Sequence, residues 1–343
     1  MNSAPIKKAF LINVGLALLA TAISLAAIEF TFRIFNSLAP PAADWSDRPK
    51  PYFFAENSPS PRDSDYTPEK GANVFRIVVL GDSFTYGEKL QVDDTFPKRL
   101  ERFLNLNLHQ PKIEVINYGV PGFSTRQEAL AARNVIKTYR PDLLILQITL
   151  NDPELWPKSA NRRFSEESGA LTLNDPIFKQ WKSLGFVLTR LHNTATHSAY
   201  KNYFFDLFDN PKTWQNFRAG LDDLKKVAER AQLPIVAITF PLFSHPLTSD
   251  YPFTRIHQKI SEQLAARNIP ALDLFEAFKN IPHERLQVEP GRDRHPNEIA
   301  NRIAAETILP WLASMKLLPT DALPKKFASD KKVTRAIARG KAF

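Results

Sequence analysis

The 343-residue chain contains no cysteine. That absence excludes disulfide scaffolds, Cys-ligated zinc, iron–sulfur clusters, a thiol nucleophile and a lipid-modified N-terminal cysteine, and it leaves the compartment open. HExxH, P-loop and GxGxxG spacings are also missing, so nothing in the sequence asks for a metal or a nucleotide, and no cofactor is expected. The GxSxG elbow of α/β-hydrolases is absent because Thr85 stands where its second glycine would be. Glycine is scarce, at 11 residues. The net charge of +9 is unevenly placed: seven basic and two acidic residues lie from Asp321 onward. The body is therefore only mildly basic, which gives no reason to expect a nucleic-acid partner. What remains, 43% hydrophobic and 24% charged, is a globular composition.

The longest uncharged apolar stretch is Ala9 to Ile28, preceded by Lys7 and Lys8. A helix of that length spans roughly 30 Å, the thickness of a bilayer core. Basic residues on its amino side predict a cytoplasmic N-terminus, with everything after Glu29 outside. Ala20, Thr21 and Ala22 offer a signal-peptidase site as an alternative. The apolar residues continue past that site to full spanning length, which favours an uncleaved anchor. The expectation is a single-pass protein of the cytoplasmic membrane, its main domain on the extracytoplasmic (periplasmic) side.

Residues 1–35 thus form the anchor. Residues 36–73 hold seven prolines among Ser, Asp and Asn and read as a semi-rigid linker. The aromatic cluster Trp45, Tyr52, Phe53 and Phe54 suggests that part of this linker lies on the domain surface. The main domain covers 74–318, with an aromatic-rich cap insertion at about 153–216, and 319–343 is a basic tail. Between Phe75 and Leu318, apolar runs at Arg76 to Leu80, Ile113 to Ile116, Leu143 to Ile148, Pro234 to Phe240 and Ala271 to Leu274 alternate with helical patterns. These helices are expected over Thr95 to Leu106, Ser124 to Tyr139, Phe217 to Ala231, Phe253 to Arg267 and Pro296 to Ala313, with Ser124 or Thr125 capping the second. Val-, Ile- and Leu-rich strands alternating with helices mean a parallel sheet covered on both faces, hence an α/β fold of three layers, α/β/α, with five strands.

Ligands of such sheets bind beyond the carboxyl ends of the strands. Four of those ends read Gly81-Asp82-Ser83-Phe84-Thr85-Tyr86-Gly87, Asn117-Tyr118-Gly119-Val120-Pro121-Gly122, Thr149-Leu150-Asn151-Asp152 and, before the last helix, Asp293-Arg294-His295-Pro296-Asn297. Four of the eleven glycines fall in the first two loops, where backbone must turn sharply or approach a ligand. The set resembles the GDSL-type, or SGNH, esterases, and all four blocks stand in that family's order. The resemblance implies the flavodoxin-like SGNH fold, ester chemistry, the namesake residues Ser83, Gly122, Asn151 and His295, and an oxyanion hole made by the amides of Ser83 and Gly122 with the side chain of Asn151.

The residue types themselves assign roles. Ser83, just past a strand, is a nucleophile if a base activates it. His295 is the best base, because imidazole accepts and returns a proton near neutrality. Asp293 would orient the imidazole and stabilise the imidazolium. The family usually spaces acid and base as Asp-x-x-His, whereas here it is Asp-x-His. Two residues apart, the side chains share a side only in extended chain. The pair therefore requires Asp293 to His295 to be extended, with Pro296 opening the helix; Glu289 or a Ser–His dyad are the alternatives. Asp82 and Asp152 read as loop braces. His109, His192, His197, His245, His257 and His283 read as surface or packing residues, with a substrate contact open for His245. Thr149 and Leu150, where the family often has glycines, narrow the cleft beside Asn151. Three function classes follow: hydrolysis of short acyl esters, O-acetyl above all, on envelope glycans or lipids; O-acyl transfer to a polysaccharide through the same serine; or silent glycan binding if the Asp293–His295 spacing fails to make a base. Partners beyond such an ester substrate and the membrane are not implied, and the oligomeric state is not readable.

Overall fold

The computed structural model describes residues 4–38, 63, 66–106, 111–155, 181–184, 200–290 and 293–319. The basic tail, the aromatic cluster at 45–54 and most of the cap insertion lie outside these residues. The chain divides into two compact units, Met1–Asp47 with Lys158–Asn202, and Arg48–Pro157 with Tyr203–Phe343.

In the first unit the helix α1 (Ala4–Leu38) contains an apolar stretch, Ala9–Phe35, of mean hydropathy 2.2 and with none of it buried. It is long and apolar enough to cross a membrane or to serve as a signal anchor. Its interior hydroxyls are satisfied within the helix: Thr21 and Ser24 donate to the carbonyls of Ala17 and Ala20, at 2.8 and 2.9 Å. Near its carboxyl end Glu29 accepts the amides of Lys182 and Ser183.

The second unit is built on five parallel strands: β1 (Val74–Gly81), β2 (Lys112–Gly119), β3 (Leu143–Ile148), β4 (Ile235–Thr239) and β5 (Ala271–Asp273), in the order β2-β1-β3-β4-β5. Ile77 to Leu80 and Leu143 to Leu146 are fully buried, as strands covered on both faces must be. Its helices include α2 (Ser83–Tyr86), α3 (Phe96–Asn105), α4 (Thr125–Tyr139), α5 (Pro211–Arg230), α6 (Thr254–Ala265), α7 (Phe275–Phe278) and α8 (Glu298–Ser314). The chain moves one way along the sheet from β1 to β2, and the other way from β2 through β3 and β4 to β5. With right-handed crossovers, α3 must lie on one face and α4, α5 and α6 on the other. Accordingly α3 packs with α8, and α4 with α5, completing the three α/β/α layers. A hairpin, β6 (Gln287–Glu289) and β7 (Asp293–Pro296), precedes α8.

Two expectations need adjustment. α5 begins at Pro211 rather than Phe217, because Asn210 caps it by accepting the Lys212 amide at 2.9 Å and Pro211 fits the first turn. Trp214 thus belongs to a helix and stacks on Phe217 at 5.5 Å, while Phe204 and Phe208 are buried against Phe253 and Phe217. Phe204 and Phe208 of the insertion are therefore core, whereas Trp181 is exposed. Second, Pro296 does not open α8: it ends β7, and Asn297 is the cap, its side chain accepting the amides of Ile299 and Ala300. The stretch before β1 touches the domain through Asp63 and Tyr66. The outer edge of β2 is closed by side chains: Asn105 pairs with both backbone groups of Ile113, Glu101 accepts from the Val115 amide at 2.6 Å, Lys98 donates to the Val115 carbonyl, and Asp63 accepts from the Asn117 amide at 2.7 Å. A strand edge so occupied offers no template for another chain.

Candidate active site

The carboxyl ends of β1 and β2 lie side by side, with Gly81 paired to Gly119. Neither position has room for a side chain. A Cβ on Gly119 would stand 2.1 Å from the Tyr86 amide nitrogen, and one on Gly81 would stand 2.2 Å from Thr85 Oγ1. The bareness of these glycines lets the turn after β1 sit directly on β2, with Val120 donating its amide to the Gly81 carbonyl. Gly87 and Gly122 are needed for a different reason, their φ values of 76° and 79°.

Ser83 opens α2, and Asp82 is its cap. One carboxylate oxygen of Asp82 accepts from the Phe84 amide at 2.9 Å, the other from the Thr149 hydroxyl at 2.6 Å. Below them Gln147, buried in β3, accepts from the Thr85 hydroxyl at 2.7 Å and the Asp82 amide at 3.3 Å. The Thr149 hydroxyl also touches the side-chain amide of Asn151, so Asp82, next to Ser83, and Asn151 share one partner. Asp152 accepts from the Thr149 amide at 2.7 Å and from the Thr125 hydroxyl. It ties the β3 loop to the head of α4, where Gln127 accepts from the Ser124 amide at 3.0 Å. Among the described residues, the amides of Ser83 and Gly122 donate to no protein group.

Asp293 and His295 lie on β7, where the chain is extended. His295 Nδ1 lies 2.6 Å from Asp293 Oδ1, which also accepts from the His295 amide at 3.1 Å; Nε2 lies 3.0 Å from Ser83 Oγ. Phe84 packs edge-on against the imidazole at 5.7 Å. Burial alone would push the Asp293 carboxyl up. Hydrogen bonds from the His295 ring, from Lys89 and from the His295 amide, with the charge of the ring, outweigh it and hold the group well below the usual carboxylate range. For His295, burial alone would lower the pKa, and the hydrogen bond to Asp293 with the charges of Asp293, Asp82 and Glu88 raises it above its ordinary value.

Glu289 does not reach the imidazole. It stands opposite Asp293 in the hairpin, and Lys89 Nζ bridges the two carboxylates, 2.9 Å from Glu289 Oε1 and 2.9 Å from Asp293 Oδ2. Lys89 itself has a φ of 58°. The other described histidines take no part in the chain of contacts from Asp293 to Ser83. His257 is buried against Asp273 at 2.9 Å, and His245 is buried beside Ser244 and Phe253. Both are packing residues rather than surface ones. Reading by sequence missed Lys89, Gln147 and Asn297. Asn297 carried a signal, a capping residue directly before an apolar helical pattern; its Nδ2 also donates to the carbonyls of Arg285 and Gln287, tying the end of β7 to the segment entering β6.

No sequence in a curated collection of proteins matches the chain. Among solved structures it is similar to a lipolytic protein of the G-D-S-L family from Desulfitobacterium hafniense DCB-2 (13% identity, TM-score 0.42, 71% of this chain and 99% of that one). It is also similar to the psychrotrophic esterase EstA from Pseudoalteromonas sp. (15%, 0.41, 69% and 98%), and to the acetylxylan esterase Axe2 from Geobacillus stearothermophilus (14%, 0.41, 73% and 97%). The profile of the GDSL-like Lipase/Acylhydrolase family matches residues 79–303, a span that contains every residue named around Ser83. By that match over well more than half its length, this chain belongs to the GDSL-like lipase/acylhydrolase family and is a hydrolase of ester bonds.

Proposed function

We propose that the chain is a serine esterase that removes short acyl groups, O-acetyl above all, from envelope glycans or lipids, with Ser83 as nucleophile, His295 as base and Asp293 as the acid that orients it. The observation that carries this reading is the continuous chain of contacts from Asp293 Oδ1 to His295 Nδ1 at 2.6 Å and from His295 Nε2 to Ser83 Oγ at 3.0 Å.

Nε2 takes the hydroxyl proton as Oγ bonds to the ester carbonyl carbon. The oxyanion that forms is received by the amides of Ser83 and Gly122 and the NH2 group of Asn151, each donor contributing about 3 to 4 kcal/mol to the transition state. As the intermediate collapses, the bond to the alcohol oxygen breaks and His295 returns the proton to it. Water then repeats the sequence on acyl-Ser83: His295 takes a water proton, the hydroxyl adds to the carbonyl, and Ser83 leaves with the proton. Asp293 stays ionised throughout and stabilises the imidazolium in both halves.

The substrate class rests on the anchor. With Lys7 and Lys8 just before the apolar stretch of α1, the domain would be held at the outer face of the cytoplasmic membrane, where acylated glycans and lipids are the esters within reach. The test is hydrolysis of p-nitrophenyl acetate and of acetylated oligosaccharides by the full chain in detergent micelles, beside Ser83→Ala. Acetate release that disappears in the variant supports the reading. Transfer of acetyl to an added oligosaccharide in preference to water would replace hydrolysis by acyl transfer. Equal acetate release by the variant would remove Ser83 as nucleophile.

A further inference from the structure

We infer that Lys89 is a positioning residue of the acid–base pair, holding the Asp293 carboxylate in place and, with Glu289 as counter-charge, setting how strongly that carboxylate attracts the proton of His295. The inference rests on the assignment of Asp293 and His295 proposed above.

Three observations meet here. The Asp293 carboxylate is divided between two partners, Oδ1 toward the imidazole and Oδ2 toward Lys89 Nζ at 2.9 Å. A carboxylate clamped on its far oxygen cannot rotate that oxygen toward the ring, so one orientation is presented to Nδ1. Second, this clamp compensates for the short Asp-x-His spacing. With a single residue between them, acid and base sit on one strand of a two-stranded hairpin, and the neighbouring strand places the Glu289 carboxylate directly across. Two carboxylates there would repel each other, and the cation between them joins β6 to β7 through side chains where the backbone register is irregular. Third, Lys89 holds a left-handed backbone conformation, φ 58°, without being glycine or asparagine. Such strain persists where the surroundings over-determine the residue. Its contacts with Glu289 and Asp293, about 200 residues further on in the chain, supply that determination.

The charged groups around the imidazole are Asp293 on its own strand, Asp82 and Glu88 from either end of the α2 turn, and, one step removed, Lys89 and Glu289. Arg294, next in the chain, acts on His283. Within this set Lys89 is the cation that touches the acid, and Glu289 is the anion that partly offsets it. Removing the cation leaves more negative charge facing His295 and stabilises the imidazolium. Removing Glu289 leaves the cation unbalanced and destabilises it. The two changes must shift the ring in opposite directions.

The experiment is an NMR titration of the full chain in detergent micelles, carrying 13C at histidine Cε1, with the His295 resonance assigned through His295→Gln. The midpoint is expected to rise by about half a pH unit in Lys89→Gln, to fall by a similar amount in Glu289→Gln, and to stay at the wild-type value in Lys89→Arg. Midpoints that coincide in all variants, or that move the same way in Lys89→Gln and Glu289→Gln, overturn the inference. Should Lys89→Gln fail to fold, the fall in Glu289→Gln and the unchanged Lys89→Arg decide alone. A residue that only propped up the hairpin would lower stability without opposed titrations. Because the ring titrates whether or not the protein turns over substrate, this result stands apart from the Ser83→Ala assay.

Discussion

His295 Nε2 stands 3.0 Å from Ser83 Oγ, although 212 residues separate them in the chain. Ser83 comes from the turn after the second-position strand of the sheet and His295 from a hairpin outside it, so their approach depends on α8 packing against α3. Asn301 secures that packing: it accepts from the Phe96 amide at 2.8 Å and donates to the Pro296 carbonyl at 3.0 Å.

Ser83→Ala is expected to lower kcat/KM on p-nitrophenyl acetate by about four orders of magnitude or more, with thermal stability nearly unchanged, because a small half-buried hydroxyl is lost. A fluorophosphonate probe should label the wild type at Ser83 and leave the variant unlabelled. Turnover within tenfold of wild type would exclude Ser83.

Asp293→Asn is expected to cost about 10⁴ in kcat, since an amide favours the wrong tautomer and carries no charge for the imidazolium. Glu289→Gln should cost far less, because Glu289 contacts Lys89 and not the ring. Steady-state kinetics of the two variants, side by side, decide the acid; a reversed order would hand the role to Glu289.

The neutral imidazole of His295 is the form that accepts a proton, and its raised pKa means that this form is reached only at higher pH. The acid limb of kcat/KM should therefore lie above the ordinary imidazole value, and in Asp293→Asn it should move down. The linked stability has opposite signs for the two partners. The raised His295 stabilises the fold below its unfolded pKa, and this contribution is lost as pH climbs through the folded one. The depressed Asp293 stabilises above its unfolded value, and that contribution is lost as pH falls toward the folded one. A pH–rate profile and thermal melts across the acid and neutral range check both; an acid limb below ordinary imidazole would contradict the first.

Gly119→Ala should destabilise the fold by about 2 to 4 kcal/mol or prevent folding, because its Cβ would collide with the backbone of α2 and not with a side chain that could move. Denaturant unfolding measures this. A cost below about 0.5 kcal/mol would show that the α2 turn can shift away from β2.

Asp63→Ala should cost about 1 to 3 kcal/mol, since it leaves the Asn117 amide without its acceptor and takes one of the carboxylates from buried Lys98. Fragments that begin at Val74 should be correspondingly less stable than fragments that begin at Arg48. Equal melting temperatures would support a domain boundary at 74.

Local patterns determined a large part of this protein. The Val-, Ile- and Leu-rich runs, buried wherever a strand is covered on both faces, specified five parallel strands and the layers over them. The ends of those strands carried the Ser83, Gly122 and Asn151 blocks within a few residues each, and a two-residue spacing was enough to require an extended Asp293 to His295. The tertiary structure decided what depends on distant partners. Gln147 looks like a polar interruption in an apolar strand until Thr85 and Asp82, 62 and 65 residues earlier, arrive beside it. Lys89 gives no local signal at all, since its meaning lies in two carboxylates on a hairpin that follows the last strand of the sheet. Asp63 sits in a stretch whose composition says linker, and its bond to the Asn117 amide appears only when the edge of β2 is brought beside it. Periodicity and turn chemistry act over a few residues and are written in order along the chain. Charge pairing and edge closure act over a few ångströms, and only folding brings their partners that near.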